Sequence, residues 1–262
     1  MRGLNGKVIV VAGGASGIGA ATARRLADEG AKVVIGDLNA EGAEKTAAAI
    51  TGDGGTALAR RYDAADEDSV RALVEFAVSE FGGLDGLHNN AADLSPDIIT
   101  KDADVVTTPL EVWNRTLTVN LTGYLLGIRY AVPHLLERGG GAIVNTSSGA
   151  AFCGEPVRVS YGVSKAGIGA LTRHVAAAYG KQGIRCNAVA PGYVPLESMK
   201  KLTEETFGVD ADVIMNQVLG TIQAPRLGEP EDIAGMVAFL LSDDGQWVTG
   251  QVYGVDGGWL LR

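Results

Sequence analysis

The passage "KVIVVAGGASGIGAATARRLADEG", residues 7–30, most constrains what this chain can become. Residues 7–12 are apolar and largely β-branched, which reads as a strand, and residues 17–30 carry helical periodicity closed by Gly30. Between them "AGGASGIG", residues 12–19, spaces its glycines at Gly13, Gly17 and Gly19. Glycines in a strand-to-helix turn let the backbone bend tightly and approach a pyrophosphate seated on the helix N-terminus. A lone glycine pattern is weak, but here it has both flanking elements.

The rest of the chain repeats the alternation. "KVVIGD" (32–37), "GTALARRYD", "LDGLHNN", "GAIVNTSS" (141–148), residues 184–190 and "QVYGVDGG" (251–258) read as further strands. Helices are expected over 66–82 with Asp66 as cap, from about Pro109 to Arg138, over 157–180 and over 229–241. Strands rich in Val and Ile without alternation belong to a parallel sheet covered on both faces. Strands alternating with helices build βαβ units, so the expected fold class is α/β, a doubly wound parallel sheet of about seven strands with helices on both faces. The 262 residues suit one undivided domain, 1–262.

Composition removes other classes. A net charge of −9 with no basic stripe argues against a nucleic-acid binder. The two cysteines, Cys153 and Cys186, make neither a disulfide framework nor a zinc spacing, and read as a loop thiol and a core thiol. His88, His134 and His174 lack metal-ligand spacing, so no metal is expected. "LTVNLTGYLLGIRYAVPHLL" contains Asn120, Arg129 and His134 and reads as a buried helix rather than a membrane span. The first apolar run is too short for a signal peptide, and a cytoplasmic protein is the expectation.

Two features carry chemistry. Asp37 ends the second strand, 24 positions after Gly13, where an acid can accept hydrogen bonds from two ribose hydroxyls and repel a 2′-phosphate. The expected cofactor is therefore NAD rather than NADP. In "VSYGVSKAG", residues 159–167, Tyr161 and Lys165 stand one helical turn apart. An ammonium ~6 Å from a phenolate at an effective dielectric of ~20 is worth roughly 3 kcal/mol, about 2 pKa units. Burial opposes that stabilisation. With the positive nicotinamide ring of the oxidised cofactor adding to the lysine, the balance is expected to bring the phenol to a working pKa near ~7–8, the range that suits a general base.

Together these motifs make the chain resemble the short-chain dehydrogenase/reductase family in its compact, non-extended branch. The resemblance runs through "YDAAD" with Asp63 and Ala64, "HNNAA" with Asn90, "VNLTG" with Asn120, "IVNTSS" with Ser148, "YGVSK", "NAVAPGYV" with Pro191 and Gly192, and the segment from Arg226 to Gly258. Ala12 and Ala92 stand where the family usually has threonine and glycine. The resemblance implies a Rossmann-type fold and an NAD-dependent oxidoreductase that interconverts a secondary alcohol and a ketone. It implies Tyr161 as general acid/base, Ser148 holding the substrate oxygen, Lys165 bonding the nicotinamide ribose, and Asn120 holding a relay water. Implied cofactor contacts are Gly13, Ser16, Gly17, Ile18, Gly19, Asp37, Leu38, Asp63, Ala64, Asn90, Tyr161, Lys165, Pro191, Gly192 and Val194. It also implies a homotetramer, and the apolar "GGWLLR" terminus is compatible with an interface.

The chain departs from the family in two places. "PGYVPLESM" puts Leu196 where a threonine usually anchors the cofactor's carboxamide, leaving Ser198 or the backbone near Val194 for that task. "DLSPDIITKDADVVTTPLE", residues 93–111, is longer than usual and is expected to form part of the substrate mouth, with Asp102 and Asp104 in a solvated loop. Residues 193–225 are the expected lid, and Tyr193, Met199, Phe207 and Met215 in it point to a hydrophobic or ring-shaped alcohol. Two other readings stay open: a cofactor-binding sensor or scaffold without catalysis, and a lyase or epimerase using bound NAD without net turnover.

Overall fold

The run Val8–Ala12 is buried along its whole length, and its side chains alternate between two cores. Val8, Val10 and Ala12 enter one apolar cluster; Ile9 and Val11 enter the other. A strand buried on both faces has no polar side, which is why the sequence shows no alternation there. The computed structural model describes residues 1–195, 200, 204, 208 and 210–261.

In chain order the elements are β1 (Val8–Ala12), α1 (Gly17–Asp28), β2 (Lys32–Asp37), α2 (Ala40–Gly52), β3 (Thr56–Arg61), α3 (Glu67–Phe81), β4 (Gly86–Asn89) and α4 (Pro96–Ile99). Then come α5 (Leu110–Leu117), α6 (Gly123–Glu137), β5 (Gly141–Thr146), α7 (Val159–Tyr179), β6 (Ile184–Pro191), α8 (Ala211–Leu219), α9 (Pro230–Leu241) and β7 (Val252–Val255). The sheet has seven strands in the order β3-β2-β1-β4-β5-β6-β7, every pair parallel. This is the doubly wound, Rossmann-type arrangement that the alternation predicts.

The order reverses between β1 and β4, whose register aligns Val11 with His88 and Ala12 with Asn89. Ligands in open α/β sheets lie in the crevice beyond the carboxyl ends of the strands at such a reversal. The glycine loop leaves β1 there, and the segment from Asn90 leaves β4 there.

The predicted helix over 66–82 is observed as α3, with the Asp66 carboxylate accepting from Asp68 N and Ser69 N. α2 has no counterpart in the sequence reading; its signal is the Asn39 cap, which accepts from Gly42 N, ahead of an alanine-rich run. The single helix expected from about Pro109 to Arg138 is instead divided. A π turn, Thr118–Thr122, separates α5 from α6. Such turns add one residue to the hydrogen-bond ring and often mark functional sites. This one contains Asn120. Among the described residues no helix is long and apolar enough to cross a membrane.

Candidate active site

A cleft of about 900 Å³ opens over the strand ends at the reversal. Gly13, Ser16, Ile18, Asp37, Leu38, Asp63 and Ala64 line one end, and Ser148, Tyr161 and Lys165 line the other, with Asn90, Pro191, Gly192 and Val194 also in its wall.

The first end is built by the glycine loop. Gly13 has φ +95°, and its N–H donates to Gly36 O (2.7 Å). A Cβ at Gly13 would stand 2.6 Å from Ala91 N, so only glycine lets the two strand ends approach. The Asn90 amide donates to Gly13 O (2.8 Å), Thr146 Oγ1 donates to Asn90 Oδ1 (3.1 Å), and His88 Nε2 lies 2.9 Å from Thr146 Oγ1. Because Thr146 spends its one proton on Asn90, the network assigns the His88 proton to Nε2. Its buried Nδ1 is left without a partner, and burial pushes the imidazole down to about 3. The sequence expectation of a structural His88 holds.

At the tip of β2 the Asp37 carboxylate accepts from Ala15 N and Asn39 N (both 2.9 Å). It pins the loop to the strand end while facing the cleft. The α1 N-terminus has no acidic residue in its first turn, and its cap, Ser16, makes no side-chain cap bond. A first turn with no acidic residue of its own and no side-chain cap suits an anion at a helix N-terminus. These residues fit the pyrophosphate and ribose of a dinucleotide.

The second end gathers residues from separate elements. Ser148 follows β5 in extended conformation, and its hydroxyl accepts from Ala150 N (3.2 Å), capping the short turn Gly149–Ala151. Ser147, its neighbour, is buried and donates to Lys165 O (2.8 Å), tying α7 to the sheet. The two serines of "SS" thus differ in the partner each hydroxyl takes: one is structural, and the other faces the cleft.

Tyr161 is the third residue of α7, and Lys165 follows one turn later. Lys165 is 2% exposed; its Nζ donates to Thr146 O (2.9 Å) and lies 5.6 Å from the Tyr161 ring centre and 5.4 Å from that of Tyr124. Burial raises the Tyr161 phenol above its ordinary value, while a hydrogen bond with Ser148 and the nearby Arg158 charge pull it down. Burial also lowers Lys165 to about 7. Burial thus opposes the charged form of both the phenol and the lysine.

That depression has a stability signature. The folded lysine titrates near 7 and the unfolded one near 10.5, so the unfolded state binds the extra proton between those values. Stability should rise as pH is raised from about 7 to 10.5 and should not be recovered below that window. Melting temperatures of wild type and Lys165→Met across this range would show it: the variant should lack the rise. Parallel curves would exclude a neutral buried lysine.

Asn120 is fully buried in the π turn; Asp93 N donates to its Oδ1 (2.9 Å), and its Nδ2 donates to Ser164 Oγ (3.3 Å). Ser164 in turn donates to Tyr161 O (2.7 Å). Asn120 thus joins the segment after β4 to the turn of α7 that carries Tyr161.

The segment after β4 lines the cleft through Asp93, Leu94, Ser95, Ile98, Ile99 and Asp102. Asp104 is exposed and only closes a turn onto Val106 N and Thr107 N, as expected of a solvated loop. Asp102 is not solvated: it is 5% exposed, because its carboxylate is spent on the N-terminus of α7. Tyr193, Ile214 and Val218 from the expected lid also line the cleft. Leu196, Ser198, Met199 and Phe207, which the sequence reading singles out, lie outside the described residues. Trp259 was legible only as part of an apolar terminus; it lines the cleft and packs on Gly149, where a Cβ would meet its ring at 2.6 Å.

A parallel sheet with a dinucleotide cradle at its reversal and a Ser–Tyr–Lys group beside it defines a Rossmann-type oxidoreductase. The family model described as enoyl-(acyl carrier protein) reductase matches residues 12–260. The chain is 44% identical over 253 residues to cis-4-hydroxycyclohexanecarboxylate dehydrogenase of Sinomonas cyclohexanicum (97% of this chain, 96% of the relative). It is 40% identical to cyclohexanol dehydrogenase of an Acinetobacter species and 35% identical to 7alpha-hydroxysteroid dehydrogenase of Bacteroides fragilis, in each case over 98% of this chain and 96% of the relative. The chain belongs to the short-chain dehydrogenase/reductase family. It is an oxidoreductase acting on CH–OH donors, and its family implies a nicotinamide cofactor.

Proposed function

We propose that this protein is an NAD-dependent dehydrogenase of cyclic secondary alcohols, with Tyr161 as its general acid/base. The observation that carries the reading is the meeting of Ser148, Tyr161 and Lys165 in one cleft with the glycine loop and Asp37. The nicotinamide ring, when bound, supplies the hydride acceptor or donor. In oxidation the Tyr161 oxygen takes the hydroxyl proton as the carbonyl forms; in reduction it returns that proton to the forming alkoxide. Ser148, on the far side of the substrate oxygen, donates a hydrogen bond to it and fixes its direction. Lys165, buried with its Nζ 5.6 Å from the Tyr161 ring centre, steadies the negative phenol when protonated and would hold the cofactor ribose. Asn120 holds the turn of α7 and a relay water.

Asp37 supports NAD over NADP. The basic residues lining the cleft, Arg115, Arg158 and Lys165, stand with the segment after β4 and with α7, not beside Asp37. Arg61 pairs with Asp37 in strand register but does not line the cleft, so among the described lining residues a 2′-phosphate would meet the Asp37 carboxylate, and like charges so placed cost several kcal/mol, roughly a hundredfold or more in affinity. The substrate class rests on the relatives' names and on the apolar wall that Leu94, Ile98, Tyr193, Ile214, Val218 and Trp259 supply. The same reading makes the protein a cytoplasmic homotetramer, which sedimentation would report.

The test is oxidation of cyclohexanol, a hydroxycyclohexanecarboxylate, a 7α-hydroxysteroid and an open-chain secondary alcohol with NAD and with NADP, followed by NADH absorbance. A cyclic alcohol with NAD should give the highest kcat/KM, with NADP about a hundredfold weaker, and Asp37→Ala should narrow that gap. Preference for NADP would overturn the cofactor reading. Tight NADH binding with no alcohol oxidised would identify a sensor, and substrate consumption without NADH would identify a lyase or epimerase.

A further inference from the structure

An α-helix opens with N–H groups that have no partner inside the helix. α7, which carries Tyr161, opens on Arg158, a non-glycine residue at φ 63° whose side chain caps nothing. Its N–H groups are met from another segment. Arg158 N donates to Asp102 O (3.0 Å) and Val159 N to Ala103 O (3.2 Å). Ser160 N donates to Asp102 Oδ1 (3.0 Å) and Tyr161 N to Asp102 Oδ2 (2.9 Å). Asp102 of the cleft wall and its neighbour Ala103 therefore hold the whole first turn of the helix.

The wall is itself anchored. The Asp93 carboxylate accepts from Arg115 Nε (2.8 Å), Asp93 N is held by Asn120, and Ala103 N donates to Thr108 Oγ1 (2.9 Å). We propose that Asp102 is the positioning residue for Tyr161, gripping the first turn of α7 from the substrate wall and thereby setting where the phenol stands. The inference rests on the reading of Tyr161 as the acid/base.

The grip has two consequences. Removing the carboxylate leaves one buried and one part-buried N–H unpaired and lets the first turn fray, and misplacement by about 1 Å can cost ~100-fold in rate. It also removes a negative charge from the positive end of α7. Side chains lean toward the N-terminus of their helix, so the Tyr161 phenol sits near that end. The phenol is also faced by Lys165 on its own helix, by Ser148, Arg158 and Glu155 from the segment between β5 and α7, and by Tyr124 from α6. With those unchanged, loss of the Asp102 charge favours the phenolate, moving the Tyr161-governed limb of kcat/KM down by roughly half a pH unit.

The experiment compares wild type, Tyr161→Phe, Asp102→Ala and Asp102→Asn on one cyclic alcohol with NAD. Asp102→Ala should lose kcat about 10- to 100-fold, with NADH affinity within about twofold and faster amide exchange at 158–161. Asp102→Asn keeps one acceptor, so its loss should be smaller, but its pH limb should still move down. A wild-type kcat and pH limb in both variants would overturn the proposal. So would losses that vanish when the assay is cooled well below the melting point, which would mark a purely structural role. If wild type and Tyr161→Phe do not differ, the reading of Tyr161 fails and this inference falls with it. If they differ and the Asp102 variants match wild type, this inference alone fails.

Discussion

Tyr161→Phe should lower kcat by about a thousandfold or more while leaving NADH affinity within about twofold of wild type. General acid–base catalysis is worth ~10²–10⁴-fold, and the lost hydroxyl is also a hydrogen-bond donor to the developing oxygen charge. The ring itself stays. The Arg158 guanidinium lies 5.4 Å from its centre and the Lys165 Nζ 5.6 Å. Stability should therefore change by less than about 1 kcal/mol, since only one hydroxyl is removed and its partner Ser148 borders the cleft. The sign of the pH dependence follows from the phenol. Burial holds Tyr161 protonated above the ordinary tyrosine range, and the Ser148 bond and Arg158 charge work against that. Alcohol oxidation needs the phenolate, so the wild-type rate should climb with pH, whereas any residual rate in the variant should lack that limb. Stopped-flow NADH formation across pH, with NADH fluorescence titration for binding, reads both. A variant within tenfold of wild-type kcat, or one still showing the limb, would place the proton transfer elsewhere.

The two ends of the cleft were legible in the sequence for different physical reasons than the parts that were not. Gly13, Gly19 and Asp37 announce themselves because their constraints are local: a turn, a close approach and a strand end within one βαβ unit. Tyr161 and Lys165 are legible because one helical turn sets their spacing. Ser148 was separable from Ser147 only through the resemblance; the structure gives the reason, since the Ser147 hydroxyl is spent on Lys165 O. Asp102 was not legible. Its partner Tyr161 N lies 59 residues away, and nothing in a loop aspartate's neighbours says that it will cap a distant helix. The π turn at Asn120 was hidden for a related reason: Thr118–Thr122 continues the apolar pattern of α5 and α6, and only the hydrogen-bond register differs. The pKa of Tyr161 depends on a quantity that spacing does not carry. Burial acts on the lysine as well as on the phenol, and lowers Lys165 to about 7.

Gly19→Ala should produce the converse of Tyr161→Phe, abolishing cofactor binding with the catalytic group intact. Gly19 lies in the first turn of α1, and a Cβ there would stand 1.8 Å from Gly13 O and 2.9 Å from Asn90 Nδ2. The first obstacle is backbone, so no rotamer relieves it. Gly13 O cannot retreat alone, because the Asn90 amide holds it at 2.8 Å and Thr146 holds Asn90. The loop and the N-terminus of α1 must separate, and with them the N–H groups that face a pyrophosphate. NADH affinity should fall by about a hundredfold or more, the scale of a lost charge-assisted site. The cost in stability should be smaller, about 1–3 kcal/mol for overpacking, offset by up to ~1 kcal/mol from the better helix propensity of alanine. That corresponds to a fall of a few degrees in Tm, since about 1 kcal/mol moves a chain of this size by ~2–4 °C. Gly52→Ala is the control: it ends α2, where a Cβ meets nothing within 4 Å, so it should leave NADH affinity unchanged and not lower Tm. Calorimetric titration with NADH beside a melting curve separates the two costs. A Gly19→Ala protein that binds NADH like wild type would show that the loop opens freely and that the cradle owes nothing to its close approach.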